Sequence, residues 1–203
     1  MKKITLALLC GLGIAVPSAV AKDKISAATM INLQAAFNGE SNAHARYFAF
    51  AEKADDEGYA GAASLFQAAA RAEEIHAANH VIVIERSGGV PKTKVESPTV
   101  KSTRENLAAA IKGETYERDE MYPKFIRQAK SDGASEALRT FSFALAAEAE
   151  HANLYADALA NLESMTASRV FYVCPTCGFT SSNPNFDRCP TCATPKERFE
   201  QVS

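Results

Sequence analysis

Two glutamate–histidine pairs recur in this sequence with one spacing: Glu73 with His76, and Glu148 with His151. Three residues apart on an α-helix, both side chains share a face and can hold one metal ion. Further glutamates precede each pair in helical stretches, Glu40 before the first and Glu114 and Glu117 before the second, 31–34 residues upstream. A lone glutamate on a helix is ordinarily a solvated surface residue, and a lone Glu-x-x-His is weak evidence for metal. Two such pairs with matched upstream glutamates make the ligand set of a di-iron carboxylate site inside a four-helix bundle. Five carboxylates converging in an apolar interior could not all stay ionised without counter-charge. Two divalent ions supply it, and oxygen with imidazole donors suits iron or manganese. A two-fold site needs only Glu40, Glu73, Glu114 and Glu148 with His76 and His151. Glu117 is the extra carboxylate, which makes sense if one ion gains charge on oxidation and exchanges a neutral ligand for an anionic one.

The tail carries a second constellation. Cys174-Pro175-Thr176-Cys177-Gly178 and Cys189-Pro190-Thr191-Cys192 are two Cys-x-x-Cys knuckles with eleven residues between Cys177 and Cys189. Four thiolates in tetrahedral array bind zinc or a single iron. A structural zinc ribbon is one reading, and disulfides, common in exported chains, are another. Paired knuckles are built for metal rather than for local bridges.

Four helices must position the first set. Helical periodicity runs from about residue 26 to 55, with Ile31, Phe37, His44, Tyr47 and Phe48 expected near the stripe that contains Glu40. A second helix is expected from about 59 to 87, stopping at Gly88-Gly89. Val90 to Lys101 is a polar connection too long for a tight hairpin. Ser102-Thr103-Arg104-Glu105 reads as a capping box opening a third helix, which ends near Asp132-Gly133, and a fourth runs from about 134 to 164. Two hairpins joined by one long crossover is the ferritin-like connectivity. Counted from a turn near residue 57, Glu40 and Glu73 each lie about 16 residues away, or roughly 25 Å. Counted from 132–133, Glu117 and Glu148 lie about 16 residues away and Glu114 and His151 about 18–19. Every candidate therefore sits near one height, and the two halves repeat each other. Tyr47, seven after Glu40, and Tyr122, eight after Glu114, lie about two turns along the same faces; their hydroxyls could bond ligand carboxylates, or the rings could simply pack the core. Glu74 and Glu150 fall off the stripe, at the surface or just behind the ligands. His80 is either a ligand of an alternative zinc site or a polar residue further along the bundle.

Residues 1–21 stand apart from the fold. Lys2 and Lys3, an apolar run from Ile4 to Val16 and Ala19-Val20-Ala21 form a Sec-type signal peptide with cleavage after Ala21, which predicts a periplasmic chain. The run is short of the roughly 20 residues a membrane span needs. The net charge of −2 and the lack of any basic run count against a nucleic-acid partner.

Together these features resemble rubrerythrin, across about residues 26 to 199. The likeness rests on Phe37-Asn38-Gly39-Glu40-Ser41-Asn42-Ala43, Glu73-x-x-His76, Glu114-x-x-Glu117 followed by Met121-Tyr122-Pro123, Glu148-x-x-His151, and the four cysteines ending in Pro195-Lys196. It implies an all-α four-helix ferritin-like bundle over 22–166 and a small rubredoxin-like four-cysteine domain over 167–203. By resemblance Glu73 and Glu148 bridge two irons, Glu40 and Glu114 are terminal ligands, and His151 binds the second iron. His76 and Glu117 alternate on the first between reduced and oxidised states. The implied activity is reduction of hydrogen peroxide to water, with electrons relayed from an external donor through one iron, or zinc in its place, held by the cysteines. The resemblance also implies a homodimer or higher homo-oligomer, paired head-to-tail so that one subunit's four-cysteine centre serves its neighbour. Two rivals stand beside it: a ferritin-type ferroxidase or iron-handling protein, and a non-catalytic protein with zinc in both sites.

Overall fold

The computed structural model describes residues 25–203; the reading of residues 1–21 as a signal peptide falls outside them. Four long rods form a bundle: α1 (Ala27–Asp56), α2 (Ala60–Arg86), a composite third rod, and α5 (Ser135–Ala160). The third rod is α3 (Thr103–Tyr116), a π-helical segment (Glu117–Met121) and α4 (Tyr122–Ser131). A 3₁₀ turn (Leu162–Ser164) follows, then the strands β1 (Phe171–Val173), β2 (Thr180–Ser181) and β3 (Glu200–Val202), in antiparallel order β2-β1-β3.

The helix ends follow from local chemistry. Ser26 caps α1 by accepting from the Thr29 amide at 3.1 Å. Ser102 and Glu105 form the expected capping box at α3. The two hairpin turns pass through Gly58 and Gly133, at φ of 81° and 66°, a region where a side chain would be strained. The crossover between α2 and α3 is pinned by amides four residues apart on α1. Gln34 donates to the Val90 carbonyl at 2.8 Å, Asn42 donates to the Lys94 carbonyl at 3.0 Å, and Asn38 accepts from the Lys94 amide at 2.9 Å.

The interior face of α1 is Thr29, Leu33, Ala36, Glu40, Ala43, Tyr47, Phe50 and Ala54. Ile31 and Phe48, expected on that stripe, are 67% and 55% exposed. At about 100° per residue Ile31 lies half a rotation from Glu40, and Phe48 about 80° round, so neither can share its face. Alanines line much of the contact between rods and let them approach closely. Two apolar clusters result, one around Tyr47, Phe50, Phe66 and Tyr155, the other around Leu33, Ile84, Tyr122 and Phe141. The ionisable layer lies between them. Phe171 and Val173 of β1 join the first cluster, so the small sheet packs into the bundle's own core.

The π segment is the departure from the continuous third helix that periodicity suggests. It absorbs one extra residue. Eight residues at 100° overshoot two turns by about 80°, whereas seven fall about 20° short. With one residue absorbed, Tyr122 stands to Glu114 as Tyr47 stands to Glu40. The segment also ends beside Pro123, whose missing N–H and ring disfavour an unbroken α-helix there.

Candidate metal centre

Two groups of four ligand atoms form inside the bundle, each within 4.8 Å of one another: Glu40, Glu73, His76 and Glu148, and Glu73, Glu114, Glu148 and His151. All of these residues are buried. Glu73 and Glu148 belong to both groups, and their oxygens divide between the histidines. Glu73 places Oε2 2.9 Å from His76 Nδ1 and Oε1 3.4 Å from His151 Nδ1. Glu148 places Oε1 3.1 Å from His76 Nδ1 and Oε2 2.9 Å from His151 Nδ1. A carboxylate facing two positions in this way is arranged to bridge. Glu40 and Glu114 each belong to one group only.

The tyrosines tie the halves crosswise. Tyr47 on α1 donates to Glu114 at 2.5 Å, and Tyr122 at the head of α4 donates to Glu40. Behind Tyr122 stands His80, buried, with Nε2 3.2 Å from the Tyr122 hydroxyl and Nδ1 3.1 Å from the Thr140 hydroxyl. Burial, with the nearby His76, pushes His80 down to about 3, so it stays neutral and donates to Tyr122. It joins neither ligand group. Glu74 is exposed and pairs with Arg71 at 2.7 Å, and Glu150 is half-buried outside the site.

Glu117 is the one carboxylate of the expected set that neither group gathers. It opens the π segment, is half-buried, and lines a cavity of about 440 Å³ with Asn38, Asn42, Arg46, Lys94 and Glu96. His76 takes its place in the first group.

The donor set fits two metal ions. Glu40 Oε2, Glu73 Oε1, Glu114 Oε2, both Glu148 oxygens and His151 Nδ1 are buried without a hydrogen-bond partner. Such orphaned atoms are costly unless a cation meets them. Without metal, protons do part of that work. Burial, then repulsion by the other carboxylates, holds Glu40, Glu114 and Glu117 well above the usual carboxylate range. Burial opposes charge on His76, yet Glu148 and Glu73 push it up to about 10, and His151 is raised in the same way. Metal must displace these protons. Loading at neutral pH should therefore release protons, and affinity should climb as pH rises toward 10 and fall as it drops. Calorimetric titration in buffers of different ionisation enthalpy checks this; binding without proton release would contradict it.

The four cysteines meet in a second cluster, their sulfurs within 4.8 Å of one another. Cys174 and Cys192 Sγ are 3.5 Å apart, as are Cys177 and Cys189. A disulfide needs about 2.05 Å, while thiolates bound tetrahedrally at 2.3 Å stand about 3.8 Å apart. The cluster has the dimensions of a metal site.

This cluster sits on the dinuclear layer of its own chain. The Cys177 carbonyl is 3.1 Å from His76 Nε2, and Gly178, at φ 75°, lies against the same ring. The Thr180 hydroxyl is 3.0 Å from His151 Nε2. Arg71 clamps Glu200 with two hydrogen bonds of 2.6 and 2.9 Å, and Asn79 donates to the Thr176 carbonyl at 3.0 Å. The module against these histidines belongs to the same chain. A family model described as Rubrerythrin matches residues 32–159. The chain belongs to the rubrerythrin family. It is 40% identical to nigerythrin from Nitratidesulfovibrio vulgaris, over 84% of this chain and 85% of that protein. It is 37% identical to rubrerythrin-2 from Clostridium acetobutylicum, over 83% and 93%. A solved structure of nigerythrin in its fully reduced, all-ferrous state superposes with a TM-score of 0.80 at 37% identity, covering 96% of this chain and all of that one. The chain is thus a ferritin-like bundle with a rubredoxin-like cysteine module, and it carries the family's di-iron and four-cysteine iron sites.

Tyr155, Gly178 and Thr180 also stand at the site. Tyr155 stands seven residues after Glu148, the Glu40-to-Tyr47 spacing, and its ring lies 5.4 Å from Tyr47. That spacing was a usable signal. The contacts of Gly178 and Thr180 join residues about a hundred positions apart and leave no local pattern.

Proposed function

We propose that the protein is a non-haem di-iron peroxidase that reduces hydrogen peroxide to water in defence against oxidative stress. When bound, the two irons supply the two electrons of that reduction, and the four-cysteine iron supplies their replacement one at a time from an external donor. Glu73 and Glu148 would bridge, Glu40 and Glu114 would be terminal ligands, and His76 and His151 would complete the set. Tyr47 and Tyr122 orient Glu114 and Glu40 by donating to them. Glu117 waits at the cavity wall as the anionic alternative to His76, and the π segment gives its backbone the slack to move. One observation carries the reading: the Cys177 carbonyl touches His76, so the cysteine cluster abuts a dinuclear ligand. A ferroxidase that stores iron has no use for such an inlet. The apolar side chains of Ile31, Phe48 and Val90, all more than half exposed, support assembly as a homodimer or larger homo-oligomer. Lys2, Lys3 and Ala19-Val20-Ala21 support export to the periplasm, and no helix among the described residues is long and apolar enough to cross a membrane.

The test is anaerobic peroxide consumption with an artificial reductant. Wild-type protein should be red, bleach on reduction and turn over. Cys189→Ser should lose the colour and most of the turnover while the helical signal persists. Undiminished turnover in that variant, or in colourless zinc-filled protein, would remove the relay role.

A further inference from the structure

The four-cysteine module touches the dinuclear layer at two histidines, through residues of one short stretch. Cys177 meets His76 and Thr180 meets His151. Thr180 is completely buried on β2, and its hydroxyl oxygen lies 3.0 Å from His151 Nε2 and 3.0 Å from the Gly178 carbonyl. A carbonyl only accepts, so the single hydroxyl hydrogen of Thr180 points to Gly178. The oxygen must then accept from His151, which places a hydrogen on Nε2. His151 Nδ1 is left facing Glu148, Glu73 and Glu114 at 2.9, 3.4 and 3.9 Å. Among the described residues no other polar partner reaches His151 Nε2.

We propose that Thr180 is a positioning residue for the dinuclear site: its hydroxyl fixes the Nε2–H tautomer and ring orientation of His151, leaving Nδ1 to the metal. The cysteine module is then part of how the dinuclear site is built as well as its supply of electrons. The inference rests on the reading of His151 as a ligand. Hydrogen-bond partners of ligating histidines are worth roughly 10–100-fold in metal affinity, and here that partner lies in the other domain. Valine at this place, of equal shape, would leave the buried N–H without an acceptor.

The test uses the full chain, ¹⁵N-labelled at histidine, with zinc as the probe and the cysteine site already filled. Long-range ¹H–¹⁵N spectra read which nitrogen of His151 carries the hydrogen and which binds metal, and a chelator competition reads the affinity. Wild-type protein should show Nδ1 bound and Nε2 protonated. Thr180→Val should weaken dinuclear binding by about 10–100-fold and disturb the His151 pattern, while Thr180→Ser should restore both. Wild-type affinity and spectra in Thr180→Val would overturn the proposal, as would a serine variant no better than valine, since the residue would then only fill space. A wild-type His151 whose nitrogens ignore zinc would instead overturn the ligand assignment, and this proposal with it.

Discussion

Replacing Glu73 by alanine should empty both dinuclear positions together while the four-cysteine site keeps its metal. Glu73 supplies an oxygen to each ligand group, so its loss opens both coordination sets and removes one of the two carboxylates that face both His76 and His151. Glu117→Ala should behave differently. Glu117 lies outside both groups, so the reduced site should assemble at near wild-type affinity while turnover with peroxide slows, because the oxidised site lacks its additional anion. Iron analysis of the two variants, with the red colour as internal standard for the cysteine site, separates them. Equal loss of dinuclear iron in both would argue against a special place for Glu73 and against ligand exchange at Glu117.

Gly178→Ala should uncouple the two metal sites. A Cβ there would stand 2.2 Å from His76 Nε2 and 3.1 Å from the Ala72 carbonyl oxygen, and the φ of 75° is itself unfavourable for alanine. Neither obstacle is the free end of a flexible chain: one is a buried ring held by Glu73 and Glu148, the other is helix backbone. Overpacking of this kind costs about 1–3 kcal/mol, enough to lower the docked population of the module by roughly 5- to 150-fold. The variant should stay red, because the four cysteines are untouched, yet re-reduce its dinuclear site far more slowly than wild type. Flash or stopped-flow reduction followed at both chromophores measures the delay. Unchanged transfer would mean that the Cys177–His76 contact is not the route.

Much of this was legible in the sequence for a physical reason. Four glutamates and two histidines cannot share an apolar layer in ionised form without a cation, so their spacing is tied to metal and not to packing alone. Hairpin arithmetic then places them at one height. The π segment left only a trace, the eight residues from Glu114 to Tyr122 where seven separate Glu40 from Tyr47. Ile31 and Phe48 misled because hydrophobicity alone does not fix helical phase, and α1 buries alanine in preference to them. Docking of the cysteine module onto its own bundle was not legible at all. It depends on Arg71 meeting Glu200 and Asn79 meeting Thr176, contacts set by the folded shape.

This arrangement should favour peroxide over oxygen and keep its irons. Glu73 and Glu148 serve two positions each, Tyr47 and Tyr122 hold the terminal carboxylates, and the cysteine module closes the layer at both histidines. Little room is left for ferrous ions to pass through. The most direct measurement is stopped-flow oxidation of anaerobically reduced protein, mixed separately with hydrogen peroxide and with oxygen, followed by iron analysis. Oxidation by peroxide should be far faster than by oxygen, with all iron still bound after many turnovers. Comparable rates with the two oxidants, or steady release of ferric iron, would contradict it and favour the ferritin-type alternative.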